Sequence, residues 1–218
     1  MPTKISVILP TRGRVNALTT AISSMLDNFS NENDIEVLLR FDDDDLDTLE
    51  AVKKQINDQR VKFIIGYKHG YAKAYHYVNE LAAKSTGEWI MFMSDDSILK
   101  TKNWDKEIEK HNGQMVFLAP NGKMHYPIFP RKVFEILGHI SLSTHCDTWV
   151  ADIAKMLNII TPTSIDILHD RADITGNNRD ATFESSQKQQ MTDYRNPKDE
   201  ALRAQDALLL KEYIEGGL

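Results

Sequence analysis

Residues 89–97 read Trp-Ile-Met-Phe-Met-Ser-Asp-Asp-Ser, five apolar side chains that run directly into two carboxylates. The apolar run predicts a strand buried on both faces, as in a parallel sheet. Two carboxylates at the end of such a strand are costly to bury unless something pairs with them. Because ligands of open α/β sheets bind beyond the carboxyl ends of the strands, Asp95 and Asp96 are candidates to bind a divalent cation and a diphosphate. The alternative is that they only begin a turn or cap a helix.

Strand and helix patterns alternate from the N-terminus to about residue 100. The predicted order is strand 5–9, helix 15–29, strand 35–41, helix 46–57, strand 61–66, helix 71–85 and strand 89–93. Strands separated by helices of this length indicate βαβ units with right-handed crossovers. We therefore predict an α/β fold with a Rossmann-like, open, mostly parallel sheet flanked by helices.

Beyond residue 100 the pattern is irregular. Residues 126–131 contain two prolines, which lack the N–H of a sheet ladder, so this segment is predicted not to be a central strand. Residues 148–157 have the apolar spacing of an amphipathic helix. Residues 176–197 are polar and poor in aliphatic side chains, which favours a mobile arm. Asn196 and Pro197 then have the pattern of an N-cap and first residue of a helix that runs to about residue 214.

Composition narrows the function classes. The chain has 218 residues, 41% of them hydrophobic, and a net charge of −6, which argues against broad electrostatic binding to nucleic acid. The single cysteine excludes an internal disulfide and favours a reducing, cytoplasmic location. The sequence contains no apolar run of membrane-spanning length, and its N-terminus lacks the pattern of a secretory signal.

Three predicted strands end in polar clusters: Thr-Arg-Gly-Arg at 11–14, four aspartates at 42–45, and Ser-Asp-Asp at 94–96. The ends of parallel strands meet at one edge of a sheet, so these clusters are expected to lie together. Cations of the first cluster could face a diphosphate, a carboxylate of the second could bind a base or ribose, and the third could hold the metal. Alternatively, Arg12 and Arg14 are ordinary solvated residues and the aspartate run is a solvated turn.

Four motifs in this order resemble family 2-type glycosyltransferases of the GT-A fold. They are Ile-Ser-Val-Ile-Leu-Pro-Thr-Arg-Gly-Arg at 5–14, Asp-Asp at 42–43, residues 70–79, and Gly-Glu-Trp-Ile-Met-Phe-Met-Ser-Asp-Asp at 87–96. The resemblance covers roughly residues 4–100. It implies a nucleotide-sugar-binding half at 1–100 and, in the same domain, an acceptor-binding and catalytic half at 101–175. A polar arm and C-terminal helix follow at 176–218.

The resemblance also implies roles for individual residues. Those expected along the nucleotide are Pro10, Thr11, Arg12, Arg14, Asp42, Asp43, Tyr71, Lys73 and Asp95. Asp96 is implied to bind Mn²⁺ or Mg²⁺. Ser94 stands where the family often has a first acidic residue, so we expect few protein ligands and a metal held largely by the diphosphate.

His169 follows the apolar stretch that begins at Ile165, and the resemblance implies that such a histidine completes the metal site. Neutral imidazole suits Mn²⁺, whereas Mg²⁺ prefers oxygen. Asp170 is placed to orient the ring. The alternative is a purely structural histidine.

Asp147 lies where the resemblance implies the general base of inverting members. A carboxylate can take the proton of an acceptor hydroxyl as it attacks the anomeric carbon. Cys146 stands where glutamate is usual and is expected to be structural, and His145 is a possible acceptor contact. The alternatives are that Asp147 only caps the following helix, or that Asp152 is the base.

The expected function is metal-dependent transfer of a sugar, with inversion, from a UDP-sugar to an unidentified hydroxyl acceptor. One alternative is a sugar nucleotidyltransferase, although residues 10–14 lack the repeated glycines of that class. Another is a non-catalytic binding module of the same fold. Residues 176–197 could be a lid over the donor, a linker or the arm of a homodimer.

Overall fold

The computed structural model describes residues 3–190 and 196–216. The strands are β1 (Lys4–Pro10), β2 (Asp34–Asp42), β3 (Val61–Gly66), β4 (Trp89–Phe92), β5 (Ser97–Leu99), β6 (Phe117–Ala119), β7 (Ile128–Pro130), β8 (Ile160–Pro162) and β9 (Ile167–His169). The α-helices are α1 (Val15–Asp27), α2 (Leu46–Gln55), α3 (Ala74–Lys84), α4 (Trp104–Glu109), α5 (Arg131–Leu137), α6 (Cys146–Met156), α7 (Ala181–Gln190) and α8 (Pro197–Gly216).

The central sheet has the strand order β3-β2-β1-β4-β7-β6-β8. Strands β1 to β4 pair in parallel, and β7 is antiparallel to both of its neighbours. Strands β5 and β9 form a separate antiparallel pair. The predicted α/β fold with an open, mostly parallel sheet is confirmed.

Successive side chains of a strand point to opposite faces of the sheet, so the apolar strands carry apolar side chains on both faces. Helices pack against each face and bury these side chains. On one face, Val7 of β1 belongs to a core that includes Ile22 of α1. On the other face, Ile8 belongs to a core that includes Leu81 of α3 and Trp149 of α6. The side chains of both cores are buried, and they fix the strand ends from which the polar clusters project.

The prediction that residues 126–131 do not form a central strand is wrong, because β7 lies between β4 and β6. The strand is only three residues long: Pro127 precedes it and accepts a hydrogen bond through its carbonyl, and Pro130 is its last residue. Phe92 donates its N–H to the carbonyl of Pro127 at 3.1 Å, and Trp89 lies opposite Pro130. A proline can therefore lie at the edge of an internal strand where the strand pairing uses only its carbonyl oxygen and not an N–H.

The polar segment 176–197 contains the helix α7, which the sequence analysis did not predict. Phe183 and Ser186 of this helix are buried against the rest of the protein. The mobility of the segment stays a prediction. Residues 191–195 lie outside the described residues. Helix α8 begins as predicted, with the side chain of Asn196 accepting the Asp199 N–H at 2.9 Å.

Candidate active site

A cleft of about 870 Å³ opens at the carboxyl ends of β1, β2 and β4. Its size lies in the range of small-molecule sites. The cleft brings together residues from all three polar clusters with residues from the irregular half of the chain. Ten of the predicted site residues line it: Pro10, Thr11, Arg12, Arg14, Asp42, Tyr71, Asp95, Asp96, Asp147 and His169.

Asp95 and Asp96 are both buried, and Arg14 lies between them. The Arg14 Nη1 atom donates to Asp95 Oδ1 at 2.8 Å and to Asp96 Oδ2 at 3.0 Å. Thr11 Oγ1 donates to the second oxygen of Asp95 at 2.8 Å. Burial raises the pKa of Asp95 to about 6, although Arg14 opposes this rise. The pair is thus a buried, arginine-neutralised centre, whereas a simple turn or cap would leave it in solvent.

His169 reaches the same centre from a distant part of the chain. Strand β9 pairs with β5 so that His169 lies opposite Ser97, and its Nε2 atom is 3.1 Å from Asp96 Oδ1. Ser94 Oγ donates to the same carboxylate oxygen at 2.7 Å. Burial disfavours ionised Asp96, but His169, Ser94 and Arg14 together outweigh it and hold the pKa of Asp96 at about 2. Asp96 therefore presents a charged carboxylate toward an imidazole.

The donor set can be tested against a metal ion. Asp96 and His169 offer one oxygen and one nitrogen, a mixed set that suits Mn²⁺ better than Mg²⁺. Within the part of the chain that the structure describes, no group of three or more His, Cys, Asp or Glu side chains is arranged to hold a metal. The residues fit a cation that takes its remaining ligands from a bound substrate or water.

Asp42 forms a second charged centre on the β2 side of the cleft. The carboxylate is buried, and it accepts hydrogen bonds from Arg40 on one oxygen and from Arg12 Nη1 on the other at 2.9 Å. The guanidinium of Arg40 also lies 4.1 Å from the centre of the Tyr77 ring. The sequence analysis missed Arg40 and Tyr77. The available signal was a charged residue inside the apolar run of β2.

Two of the predicted nucleotide-binding residues do not line the cleft. Asp43 follows the end of β2, where its side chain points away from that of Asp42, and it is exposed and accepts the Lys68 N–H at 3.2 Å. Lys73 is exposed at the end of a short 3₁₀ turn. Of these four predicted residues, Asp42 and Tyr71 line the cleft, and Asp43 and Lys73 do not.

Asp147 also lines the cleft, from the first turn of α6. The helix begins at Cys146 with His145 as its N-cap, so Asp147 is inside the helix and is not its N-cap. The side chain is half-buried, and burial raises the pKa of its carboxyl despite the nearby Thr148 N–H and two histidines. Burial also raises the pKa of the Cys146 thiol to about 12, which leaves it protonated and unreactive.

Asp152, the alternative base, lies outside the residues that line the cleft. Its carboxylate is 3.3 Å from Arg203 Nε, a residue of α8. This contact helps join α6 to α8. The structure therefore favours Asp147 over Asp152 as the carboxylate that can meet a bound substrate.

Several cleft residues come from the irregular half and were not predicted. Tyr126 packs edge-on against His169, with ring centres 5.5 Å apart. His125 and Arg171 also line the cleft, as does one face of α7. The sequence feature that could have placed Arg171 near the cleft is its position two residues after His169.

Comparisons with known proteins agree with this architecture. The model of the family described as glycosyl transferase family 2 matches residues 6–120. An uncharacterized glycosyltransferase of Mycoplasma genitalium is 34% identical over 104 residues, which are 45% of this chain and 34% of that protein.

Two solved structures show the same fold. The mannosyltransferase PcManGT from Pyrobaculum calidifontis, in complex with GDP-Man and Mn²⁺, has a TM-score of 0.61 at 14% identity, over 78% of this chain and 57% of that one. S. aureus TarS 1-349 in complex with UDP has a TM-score of 0.53 at 16% identity, over 74% and 58%.

The chain thus spans about a third of the length of the curated relative and little more than half of these solved chains. In the described ranges, no helix combines the length and the apolar character needed to cross a membrane. The match of the family model extends over more than half of the chain, and its residues include β1 and the Asp95–Asp96 pair. The chain therefore belongs to glycosyl transferase family 2.

Proposed function

We propose that this protein transfers a sugar from a nucleoside-diphosphate sugar, with a UDP-sugar as the expected donor, to a hydroxyl acceptor. The observation that carries the proposal is that two unlike sets of side chains line one cleft. Asp95, Asp96 and His169 form one set, and Asp147 is the other. The first suits a diphosphate with a cation, and the second suits a hydroxyl that must lose a proton.

The charge balance of the cleft supports a metal-dependent reaction. Arg14 already donates to Asp95 and Asp96, and Arg12 donates to Asp42 and Asp44. Arg14 cannot turn to a diphosphate without uncovering a buried carboxylate, whereas Asp42 and Asp44 would keep Arg40 and Lys68 as partners if Arg12 turned. A Mn²⁺ or Mg²⁺ ion held by Asp96 and His169 would stabilise the charge that develops on the leaving diphosphate. The complex of PcManGT with GDP-Man and Mn²⁺ supports this assignment.

Asp147 acts in this proposal as the general base. The acceptor O–H gives its proton to the Asp147 carboxylate while the oxygen bonds to the anomeric carbon and the bond to the diphosphate breaks. A single displacement of this kind inverts the configuration at that carbon. The raised pKa of Asp147 makes the carboxylate a stronger base than an exposed aspartate, which favours this role.

The nucleoside is assigned to the β2 side of the same cleft. Asp42 is held rigidly by Arg40 and Arg12, so its carboxylate presents a fixed acceptor to a base or ribose. Pro10 and Tyr71 line the adjacent surface. We accordingly assign residues 1–100 to donor binding and residues 101–175 to the acceptor and the base.

The experiment measures thermal stability with UDP, GDP, CDP and dTDP, each with and without Mn²⁺. A ligand at a hundred times its Kd stabilises the native state by about 2.7 kcal/mol. For a chain of this size that corresponds to a rise in Tm of roughly 5–10 °C. We expect one nucleotide to give a shift of this order with Mn²⁺ and a much smaller one without it.

Asp96→Asn should abolish the Mn²⁺-dependent part of the shift because it removes the carboxylate that faces His169. Asp47→Ala is the matched control, since Asp47 is an exposed carboxylate at the start of α2. If no nucleotide raises the Tm, or if the shift survives in Asp96→Asn, the proposed site is wrong. Release of pyrophosphate from a nucleoside triphosphate and a sugar phosphate would instead identify a nucleotidyltransferase.

A further inference from the structure

Arg14 connects the acidic centre of the cleft to a helix far away in sequence. Its Nε and Nη2 atoms donate to the two oxygens of Asp180 at 2.7 and 2.8 Å, a bidentate pair. Its remaining Nη1 atom donates to Asp95 and Asp96. Bidentate pairs of this kind are both strong and geometrically specific. The Arg14 guanidinium therefore holds three carboxylates in a fixed arrangement: Asp95 and Asp96, which follow β4, and Asp180, which precedes α7.

Asp180 also begins helix α7. Its Oδ1 atom accepts the N–H of Phe183 at 2.8 Å, which is the contact of an N-cap. The same carboxylate thus binds Arg14 and orders the first turn of the helix. An isolated helix of ten residues is marginal in water, so α7 depends on such contacts to stay in place.

Helix α7 forms part of the wall of the cleft. Five of its residues line the cleft: Ala181, Thr182, Phe183, Ser185 and Ser186. Phe183 is the only large apolar side chain among the residues of this helix, and it is 6% exposed. Because so little apolar surface fixes α7, the ion pair with Arg14 is a large part of what holds the helix over the cleft.

The loop that leads to α7 is anchored on the same centre. The Asp170 N–H donates to the Asp96 carbonyl at 2.7 Å, and the Asp170 side chain accepts from Thr175 at 2.6 Å and from Asn177 at 2.8 Å. The segment 169–180 therefore contacts Asp96 at both ends. His169 contacts it directly, and Asp180 is joined to it through Arg14. The position of α7 is linked at both ends of this loop to Asp96.

We propose that α7 is a lid on the donor side of the cleft and that Asp180, through Arg14, is the positioning residue that latches it closed. This inference rests on the proposed function for the identity of the donor. With α7 in place the cleft still measures about 870 Å³, so the closed lid leaves room for a nucleotide sugar. Closure retains the donor and keeps bulk water from the anomeric carbon.

The first experiment is limited trypsin digestion of the ligand-free chain, with cleavage after Lys188, an exposed residue of α7 that is not adjacent to the substituted position, followed by mass spectrometry. Asp180→Asn keeps the shape of the side chain but loses the ion pair, and we expect cleavage about tenfold faster than in the wild type. Glu184→Gln is the matched control, because Glu184 is an exposed carboxylate one turn further along α7 that does not line the cleft. Asp180→Glu keeps the charge and should recover most of the protection.

The second experiment measures KM and kcat for donor hydrolysis. We expect Asp180→Asn to raise the KM for the donor about tenfold with a smaller change in kcat, and Glu184→Gln to change neither. Cleavage of Asp180→Asn at the rate of Glu184→Gln would refute the latch, whatever nucleotide the protein binds. Faster cleavage with an unchanged KM would refute the lid. A wild-type chain that binds no nucleotide refutes the proposed function, and the ligand-free digestion still decides the latch.

Discussion

Asp147→Asn tests the chemical step most directly. The substitution keeps the size of the side chain and removes its ability to accept a proton. Loss of a positioned general base costs typically 10²–10⁴-fold in rate, which corresponds to roughly 3–5 kcal/mol of transition-state stabilisation. Asp147 comes from α6, and the contact between Asp96 and His169 does not involve it, so we expect kcat to fall by this factor while nucleotide binding changes little.

Stability should respond in the other direction. Burial raises the pKa of Asp147 above its ordinary value of 3.8, so the ionised carboxylate is less favourable in the folded state than in the unfolded chain. Although the start of a helix favours a negative charge, the direction of the pKa shift means that burial outweighs it. Asp147→Asn should therefore be at least as stable as the wild type at pH 7, as expected if the proposed catalytic role keeps this carboxylate in place at a cost in stability.

The assay measures release of the nucleoside diphosphate from the donor that the thermal panel identifies, across pH. The base works deprotonated, so activity falls as the pH drops through its pKa, and the raised pKa places this acidic limb above the usual range of aspartate. Asp152→Asn is the control, because that carboxylate is bound to Arg203 outside the cleft. A loss below tenfold in Asp147→Asn, or an equal loss in Asp152→Asn, would refute the assignment.

Two further predictions concern the opposite end of the sheet. Hydrogen bonds from Lys62, Ser6 and Thr86 together outweigh the burial of Glu36 and lower its pKa from 4.5 to about 2, a difference worth roughly 3 kcal/mol. Glu36→Gln should lower the urea-measured stability by about 2–3 kcal/mol above pH 4.5, a deficit that vanishes as the pH falls toward 2 and whose persistence there would contradict the linkage. In Gly87→Ala, the new Cβ would lie 2.6 Å from the Ser6 nitrogen, so we expect a loss of about 1–3 kcal/mol in thermal unfolding. Gly216→Ala, which meets open space, is the control, and equal Tm values for the two variants would contradict the packing argument.

Local pattern predicted the parallel half of the fold because its elements are long and their periodicity reports burial. The strand that begins at Trp89 is apolar throughout and is buried in the sheet. The helix that begins at Val15 has apolar residues on one face, and that face is buried. The edge of the sheet could be predicted for the same reason, and so the three polar clusters were expected to meet. Strand β7 was missed because three residues carry little periodicity, and the rule that excludes proline ignores its carbonyl.

The site beyond these clusters depends on contacts that no local pattern encodes. Arg14 and Asp180 are 166 positions apart, and only the tertiary fold makes them partners. Helix α7 is too polar for its sequence to predict a packed helix, because one buried phenylalanine and one ion pair hold it in place. His169 was predicted through the family resemblance, since a histidine at the end of a short strand carries little information of its own.

The pairing of charges in the cleft limits how a donor can enter. Asp42, Asp95 and Asp96 are buried, and each is neutralised by an arginine in this structure. Removing the partner of a buried charge costs about 3–5 kcal/mol, so a diphosphate gains little by drawing Arg14 away from its carboxylates. A cation that enters with the diphosphate at Asp96 and His169 adds positive charge without uncovering any carboxylate. The arrangement therefore favours joint binding of metal and nucleotide, with Arg14 left in place to hold α7.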